Sequence, residues 1–235
     1  ARRARGAAVR RGDGDAGGSV AEVTLTSYYS ESGITIYHGD CREILPHIEA
    51  DVLVTDPPYG MAYQSGWKEA SSIANDGDTA CRDWALDLWG GKPALVFGRW
   101  SVPRPPATRE RLIWDKGNWP GMGDLKLPWG PSTEDIYVLG DGFVGKRTGQ
   151  ILRDPKRPSG ANALHPNEKP IGLMELLIRA CPAGVILDAF CGSGSTLVAA
   201  KNLSRRAIGI ELEERYCEIA ARRLNQGVLS FGAQP

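Results

Sequence analysis

Val185-Ile186-Leu187-Asp188-Ala189-Phe190-Cys191-Gly192-Ser193-Gly194-Ser195-Thr196-Leu197 is the stretch that decides the fold. Three apolar residues make a short strand that ends at Asp188, two glycines turn the chain, and a helix opens near Ser195. That succession builds a nucleoside-binding crevice at the carboxyl edge of a sheet. Gly192 and Gly194 let backbone approach a ligand closely. Asp188, Phe190, Cys191, Gly192, Gly194, Ser195 and Thr196 are therefore candidate cofactor-binding residues. No Gly-Lys-Ser/Thr end follows, which excludes a P-loop, and Leu197 stands where a dinucleotide fingerprint needs its third glycine. Glu211 ends the next apolar run, about twenty residues past Asp188, where an acid can accept both hydroxyls of a ribose.

Outward from this stretch the chain alternates strand and helix. Strands are expected over Ile34–Tyr37, Asp51–Thr55, Ala94–Phe97, Arg111–Trp114, Ile136–Leu139, Val185–Leu187 and Ala207–Ile210. Helices are expected from Asp40 through Leu45, then over Cys81–Leu88, Ile171–Ala180, Ser195–Leu203 and Arg215–Leu224, with Pro170 pre-set to open the third. The run Val52-Leu53-Val54 is near-continuously apolar, as in a parallel strand buried on both faces. Residues 140–165 show no clear periodicity. The fold class is α/β, a doubly wound and mostly parallel sheet with helices on both faces.

The same apolar run leads into a second motif, Asp56-Pro57-Pro58-Tyr59. It falls at the carboxyl end of a buried strand, where ligands bind in such sheets. An exocyclic amino nitrogen on adenine or cytosine is a poor nucleophile, because its lone pair is delocalised into the ring. Two acceptors aimed at its hydrogens would push it toward tetrahedral geometry. The Asp56 carboxylate supplies one and the Pro57 carbonyl the other, while Pro58 stiffens the turn. Tyr59 offers a ring on which an extruded base can stack. This route needs no cysteine nucleophile.

Composition sets the limits. At 235 residues with 42% apolar content, the chain is one domain, or one domain with an insert. No apolar run nears the roughly 18 residues of a membrane span. Five scattered cysteines, three scattered histidines and no Cys-x-x-Cys pair argue against a metal site. With no secretory h-region near the start, they point to a reducing cytoplasm. Net charge is zero but unevenly spread. Residues 51–91 carry two basic against seven acidic side chains, and residues 92–170 thirteen basic against eight acidic. The second stretch suits phosphates. Residues 1–19 are Arg, Gly and Ala with few large apolar groups, and read as a disordered arm ahead of a domain over 20–235.

Together the two motifs resemble the S-adenosylmethionine-dependent amino-methyltransferases of DNA. The catalytic motif comes first, which resembles the permuted, beta-class branch. Tyr37-His38-Gly39-Asp40-Cys41 and His165-Pro166-Asn167-Glu168-Lys169-Pro170 are similar to that branch's flanking segments, so the likeness spans roughly residues 33–225. It implies S-adenosylmethionine as cofactor, with Asp40 near its adenine, Glu211 on its ribose, and Phe190, Gly192, Gly194 and Lys169 around its methionine end. Ala189 departs mildly from the family's usual proline.

The likeness also implies a short target-recognition region at 140–164, with Lys146, Arg147, Arg153, Lys156 and Arg157 toward duplex DNA. So short a region implies a brief recognised site, or help from the loops at 63–72 and 117–131, or from a second subunit in a homodimer. Trp67, Trp119 and Trp129 in those loops are expected to serve packing ahead of wedging DNA. Asp rather than Ser at position 56 leans toward adenine-N6, with cytosine-N4 as runner-up. Protein-glutamine enzymes typically carry asparagine there. A non-catalytic DNA-binding module is the rival of another class. The setting expected is the cytoplasm of a prokaryote or the product of a phage, with a cognate restriction nuclease as a candidate partner.

Overall fold

A computed structural model describes residues 25–58, 78–117, 125–153 and 168–226. The arm at 1–19, Tyr59, Trp67, Trp119, the loop at 63–72, Lys156, Arg157 and His165 to Asn167 lie outside the described residues.

The elements follow in chain order: β1 Tyr29–Glu31, β2 Ile34–His38, α1 Cys41–Ile44, β3 Val52–Thr55, α2 Ala80–Trp89, β4 Ala94–Gly98, β5 Glu110–Asp115, β6 Thr133–Leu139, β7 Ile151–Arg153, α3 Ile171–Ala180, β8 Ile186–Asp188, α4 Ser195–Asn202, β9 Ala207–Glu211 and α5 Glu214–Asn225. They form one sheet in the order β1-β2-β9-β8-β3-β4-β6-β5-β7. The five strands from β2 to β4 are mutually parallel, whereas β6 runs against both β4 and β5.

Alternation along the central strands explains why both faces are covered. Val52 and Val54 of β3 and Ile186 of β8 point to one side, into a core with Leu173, Ile178, Leu197 and Cys217 of α3, α4 and α5. Leu53 and Leu187 point to the other side, against Ile44 of α1 and Ala85 and Trp89 of α2. The crossover leaving β8 through α4 thus covers one face, and the one leaving β3 through α2 covers the other. β8 and β3 are hydrogen-bonded neighbours. Their carboxyl ends therefore form a topological switch point, the place where such sheets bind ligands.

Local chemistry sets the ends. The α2 helix stops at Gly90, whose left-handed φ of 70° lets its N–H close on Leu86 and Asp87 carbonyls. Asp40 caps α1 by accepting from the Arg42 N–H at 2.9 Å. All five cysteines are buried and free. Among the described residues no helix is long and apolar enough to cross a membrane.

Two strands escape the sequence reading. β1 is a polar edge strand, joined to β2 by Ser32-Gly33, both at positive φ, the geometry of a two-residue hairpin turn. β7 falls inside the stretch without periodicity. It is a three-residue edge strand with Ile151 and Arg153 exposed, so no apolar alternation marks it.

Candidate active site at the strand switch point

The two sequence motifs face one another across the switch point. Asp56 follows the last residue of β3, and Asp188 is the last of β8. Thr55 Oγ1 donates to Asp188 Oδ1 at 2.8 Å, which ties the motifs together. Thr196 Oγ1 donates to Asp188 Oδ2 at 2.5 Å, and the Phe190 N–H donates to Oδ1 at 3.2 Å. Burial pushes the Asp188 carboxyl up, against the pull of these donors. Asp188, Ser195 and Thr196 are thus buried and turned inward, shaping the glycine turn. Cys191 is buried as well, its Sγ 2.8 Å from where a Cβ on Gly209 would stand, so it belongs to the packing under the turn.

Gly192 and Gly194 both have left-handed φ, 49° and 82°. The Gly192 N–H donates to Glu211 Oε2 and the Glu213 N–H to Oε1, each at 2.8 Å. The Glu211 carboxylate is thereby fixed at the end of β9, half-buried beside the turn. Burial raises its pKa, and the two backbone donors oppose the rise. The end of β2 lies alongside, since His38 pairs with Glu211 and the Gly39 N–H donates to the Glu211 carbonyl at 2.9 Å. That brings Asp40 to the same edge, where the Arg42 guanidinium holds its carboxyl below the usual range.

Around Asp56 the structure adds residues that sequence reasoning missed. Lys169, expected at the cofactor's methionine end, turns to Asp56: Nζ lies 2.5 Å from Asp56 Oδ2 and 3.1 Å from Glu134 Oε2. Lys116 pairs with the other oxygen of Glu134. Burial drives the Asp56 carboxyl up, to about 6, against the attraction of Lys169 and with the help of Glu134's charge. Burial acts on Glu134 in the same sense, but its two lysines prevail and hold it down at about 2. Pro57 is buried beneath the motif and Pro58 half-buried.

A second buried ion pair braces the glycine turn. Arg223 of α5 lies 2.6 Å from Glu168 and donates to the Ser193 carbonyl at 2.8 Å and the Ser193 hydroxyl at 3.0 Å. It links the last helix, the glycine turn and the entry to α3.

The expected DNA contacts do not assemble as one set. Arg153 ends β7 beside Asp115, on the same sheet edge as Asp56, with its Nε 3.1 Å from the Asp115 carboxylate. Lys146 and Arg147 follow Val144, whose N–H donates to the Ala180 carbonyl at the far end of α3. They lie toward the opposite edge of the sheet.

The family model described as DNA methylase, of the N6 and N4 enzymes, matches residues 87–222. The type II methyltransferase M2.LlaDCHI of Lactococcus lactis subsp. cremoris is 42% identical over 251 residues, covering 85% of this chain and 92% of the relative. The type II methyltransferase M.ScaI of Streptomyces caespitosus is 28% identical over 257 residues, covering 84% and 83%. Among solved structures, the M1.HpyAVI-SAM complex matches with a TM-score of 0.61 and 26% identity, over 82% of this chain and 99% of that one. The cytosine-N4-specific PvuII DNA methyltransferase shares the fold at a TM-score of 0.59 and 16% identity, over 84% and 88%. With more than half of the chain inside the family match, and with the switch-point crevice that such chemistry needs, the protein belongs to the N6/N4 family of DNA methylases.

Proposed function

We propose that this DNA amino-methyltransferase acts on the N6 amino group of adenine in duplex DNA, by direct transfer to a base turned out of the helix. The observation that carries the reading is the facing of the Asp56 carboxylate and the glycine turn across one crevice. The methyl donor is S-adenosylmethionine. The residues suit it: a Cβ on Gly192 would meet nothing within 4 Å, so the turn borders open space into which a ligand fits. In this reading Glu211 takes the ribose hydroxyls, Asp40 faces the adenine, and Phe190, Gly192 and Gly194 border the methionine end.

The donor supplies a methyl group on a positively charged sulfur. The protein's task is to make the amine attack it. Asp56 and the Pro57 carbonyl accept the two amino hydrogens, which draws the nitrogen lone pair out of conjugation. Tyr59 stacks on the base. Asp at position 56 supports adenine over cytosine. Nucleoside mass spectrometry after incubation with methyl-labelled S-adenosylmethionine decides it. Label on N6-methyldeoxyadenosine supports the reading, and label on N4-methyldeoxycytidine replaces the base while keeping the mechanism. Kinship to enzymes named type II methyltransferases supports site-specific action beside a restriction nuclease.

The acceptor role carries a pH dependence. Asp56 accepts the amino hydrogen only as a carboxylate, and its folded pKa is raised to about 6. Single-turnover methylation is therefore full above that value and falls about tenfold per pH unit below it. A profile flat down to about pH 5 would remove Asp56 from the chemistry.

On the DNA side, Trp100 and Trp129 are 75% and 77% exposed, and Leu125 is 81% exposed. Trp100 follows the end of β4 and Trp129 precedes β6, which pairs Asp135 with Gly98, so both belong to the edge that holds Asp56. Exposed tryptophans beside basic residues suit bases unstacked from a duplex. Trp100→Ala and Trp129→Ala are each expected to weaken DNA binding by about 1–3 kcal/mol in a titration, with cofactor affinity unchanged. Unaltered DNA affinity in both would put the contact elsewhere.

A further inference from the structure

Among the described residues, the Asp56 carboxylate belongs to a run of four alternating charges drawn from four parts of the fold. Lys169 comes from the segment ahead of α3, Glu134 from β6 and Lys116 from the end of β5. The contacts run from Asp56 to Lys169 at 2.5 Å, from Lys169 to Glu134 at 3.1 Å, and from Glu134 to Lys116. The Lys169 ammonium lies 4.9 Å from the centre of the Phe97 ring, and that of Lys116 lies 5.1 Å from the Trp114 ring. Phe97 and Trp114 are fully buried, so the two lysines rest on an apolar floor. With two positive and two negative members the set is neutral, which lowers the cost of burying it.

A long lysine side chain held by one carboxylate can swing toward solvent with its head group. A second carboxylate 3.1 Å from Nζ restricts that freedom. We propose that Glu134 is a positioning residue for methyl transfer: clamped by Lys116, it fixes the Lys169 ammonium on Asp56 Oδ2 and so sets the direction and charge of the carboxylate that receives the amine. The proposal rests on the reading of Asp56 as the amine acceptor. Glu134 touches neither substrate nor cofactor in this role.

Among the described residues, the charges facing Asp56 include Lys169, Glu134 and Asp188. Glu134 raises the Asp56 pKa through its own charge. Glu134→Gln keeps an acceptor for Lys169 but removes the charge, so it moves the Asp56 titration to lower pH. Lys116→Gln leaves Glu134 less neutralised, so it moves the titration to higher pH. Two displacements of opposite sign show that the charges of Glu134 and Lys116 reach Asp56. A loss in kcat at constant KM, rescued by Glu134→Gln, is what a merely structural ion cluster does not produce.

The test uses the full chain with methyl-labelled S-adenosylmethionine and duplex DNA. It compares kcat, KM and the acidic limb of the pH profile for Glu134→Ala, Glu134→Gln and Lys116→Gln. Glu134→Ala is expected to lower kcat by about tenfold to a hundredfold, the scale of a small misplacement of a reacting group, with KM little changed. Glu134→Gln restores most of the rate. Carbon-13 NMR of labelled aspartate side chains reads the Asp56 titration directly and shows the two opposite displacements without DNA. Unmoved titration in both glutamine variants overturns the proposal. So does equal loss in Glu134→Ala and Glu134→Gln that follows the folded fraction. Absence of DNA labelling by the wild type, with the displacements present, would fault the reading of Asp56 and leave the charge chain standing.

Discussion

Asp56→Asn is expected to lower the rate of methyl transfer by about 10²- to 10³-fold, the scale seen when one preorganised electrostatic partner of a transition state is removed. Asparagine keeps the volume and a carbonyl oxygen but loses the charge that draws the amino hydrogen. Among the described residues it also leaves Glu134 as the carboxylate paired to Lys169. The residues proposed to hold the cofactor stand on other strands, Glu211 at the end of β9 and Gly192 after β8, so S-adenosylmethionine affinity should change by less than about twofold. Single-turnover labelling and calorimetric titration separate these quantities. A variant that keeps more than about a tenth of the wild-type rate would end the case for Asp56 as amine acceptor.

The second large effect concerns stability. Arg223→Met is expected to destabilise the fold by about 3–5 kcal/mol, because it breaks the buried ion pair with Glu168 and the hydrogen bonds to Ser193. In a chain of this size that corresponds to a melting temperature lower by roughly 6–20 °C. Burial already depresses the Arg223 pKa, and Glu168 opposes the shift, so the pair is mutually dependent. The same change frees Ser193 in the glycine turn, so cofactor affinity should weaken as well. Adding Glu168→Gln removes the buried carboxylate charge, and the double variant should recover part of the loss. A melting temperature within about 2 °C of wild type in Arg223→Met would show the pair to be dispensable.

The elements legible in the sequence are those with strong periodicity. β3, β4 and β8 are buried on both faces and read as unbroken apolar runs. The helices α3 and α5 carry a clear apolar stripe. β1 and β7 are short and polar at the sheet edges, where pairing is made by backbone and leaves no pattern in side chains. The site was legible where chemistry is local. Asp56-Pro57 and the glycine turn each declare themselves within a few residues. Lys169 was expected at the cofactor's methionine end, whereas the carboxylate it faces is 113 positions away. Glu134, Lys116, Glu168 and Arg223 look like ordinary surface charges in sequence. Their burial comes from the packing of distant elements, which no local pattern encodes. The assignment of Lys146 and Arg147 beside Arg153 treated neighbours in sequence as neighbours in space, whereas the chain crosses from one sheet edge to the other between them.

The strand order β2-β9-β8-β3 has a consequence for biosynthesis. Two strands from the last third of the chain are seated between two from the first third. While the ribosome is still making α3, β2 and β3 have no partners on the sides that β9 and β8 will occupy. Such open edges invite pairing with other chains. The central sheet can close only once Glu211 has emerged, so the protein matures late and all at once, through contacts of long sequence separation that form slowly.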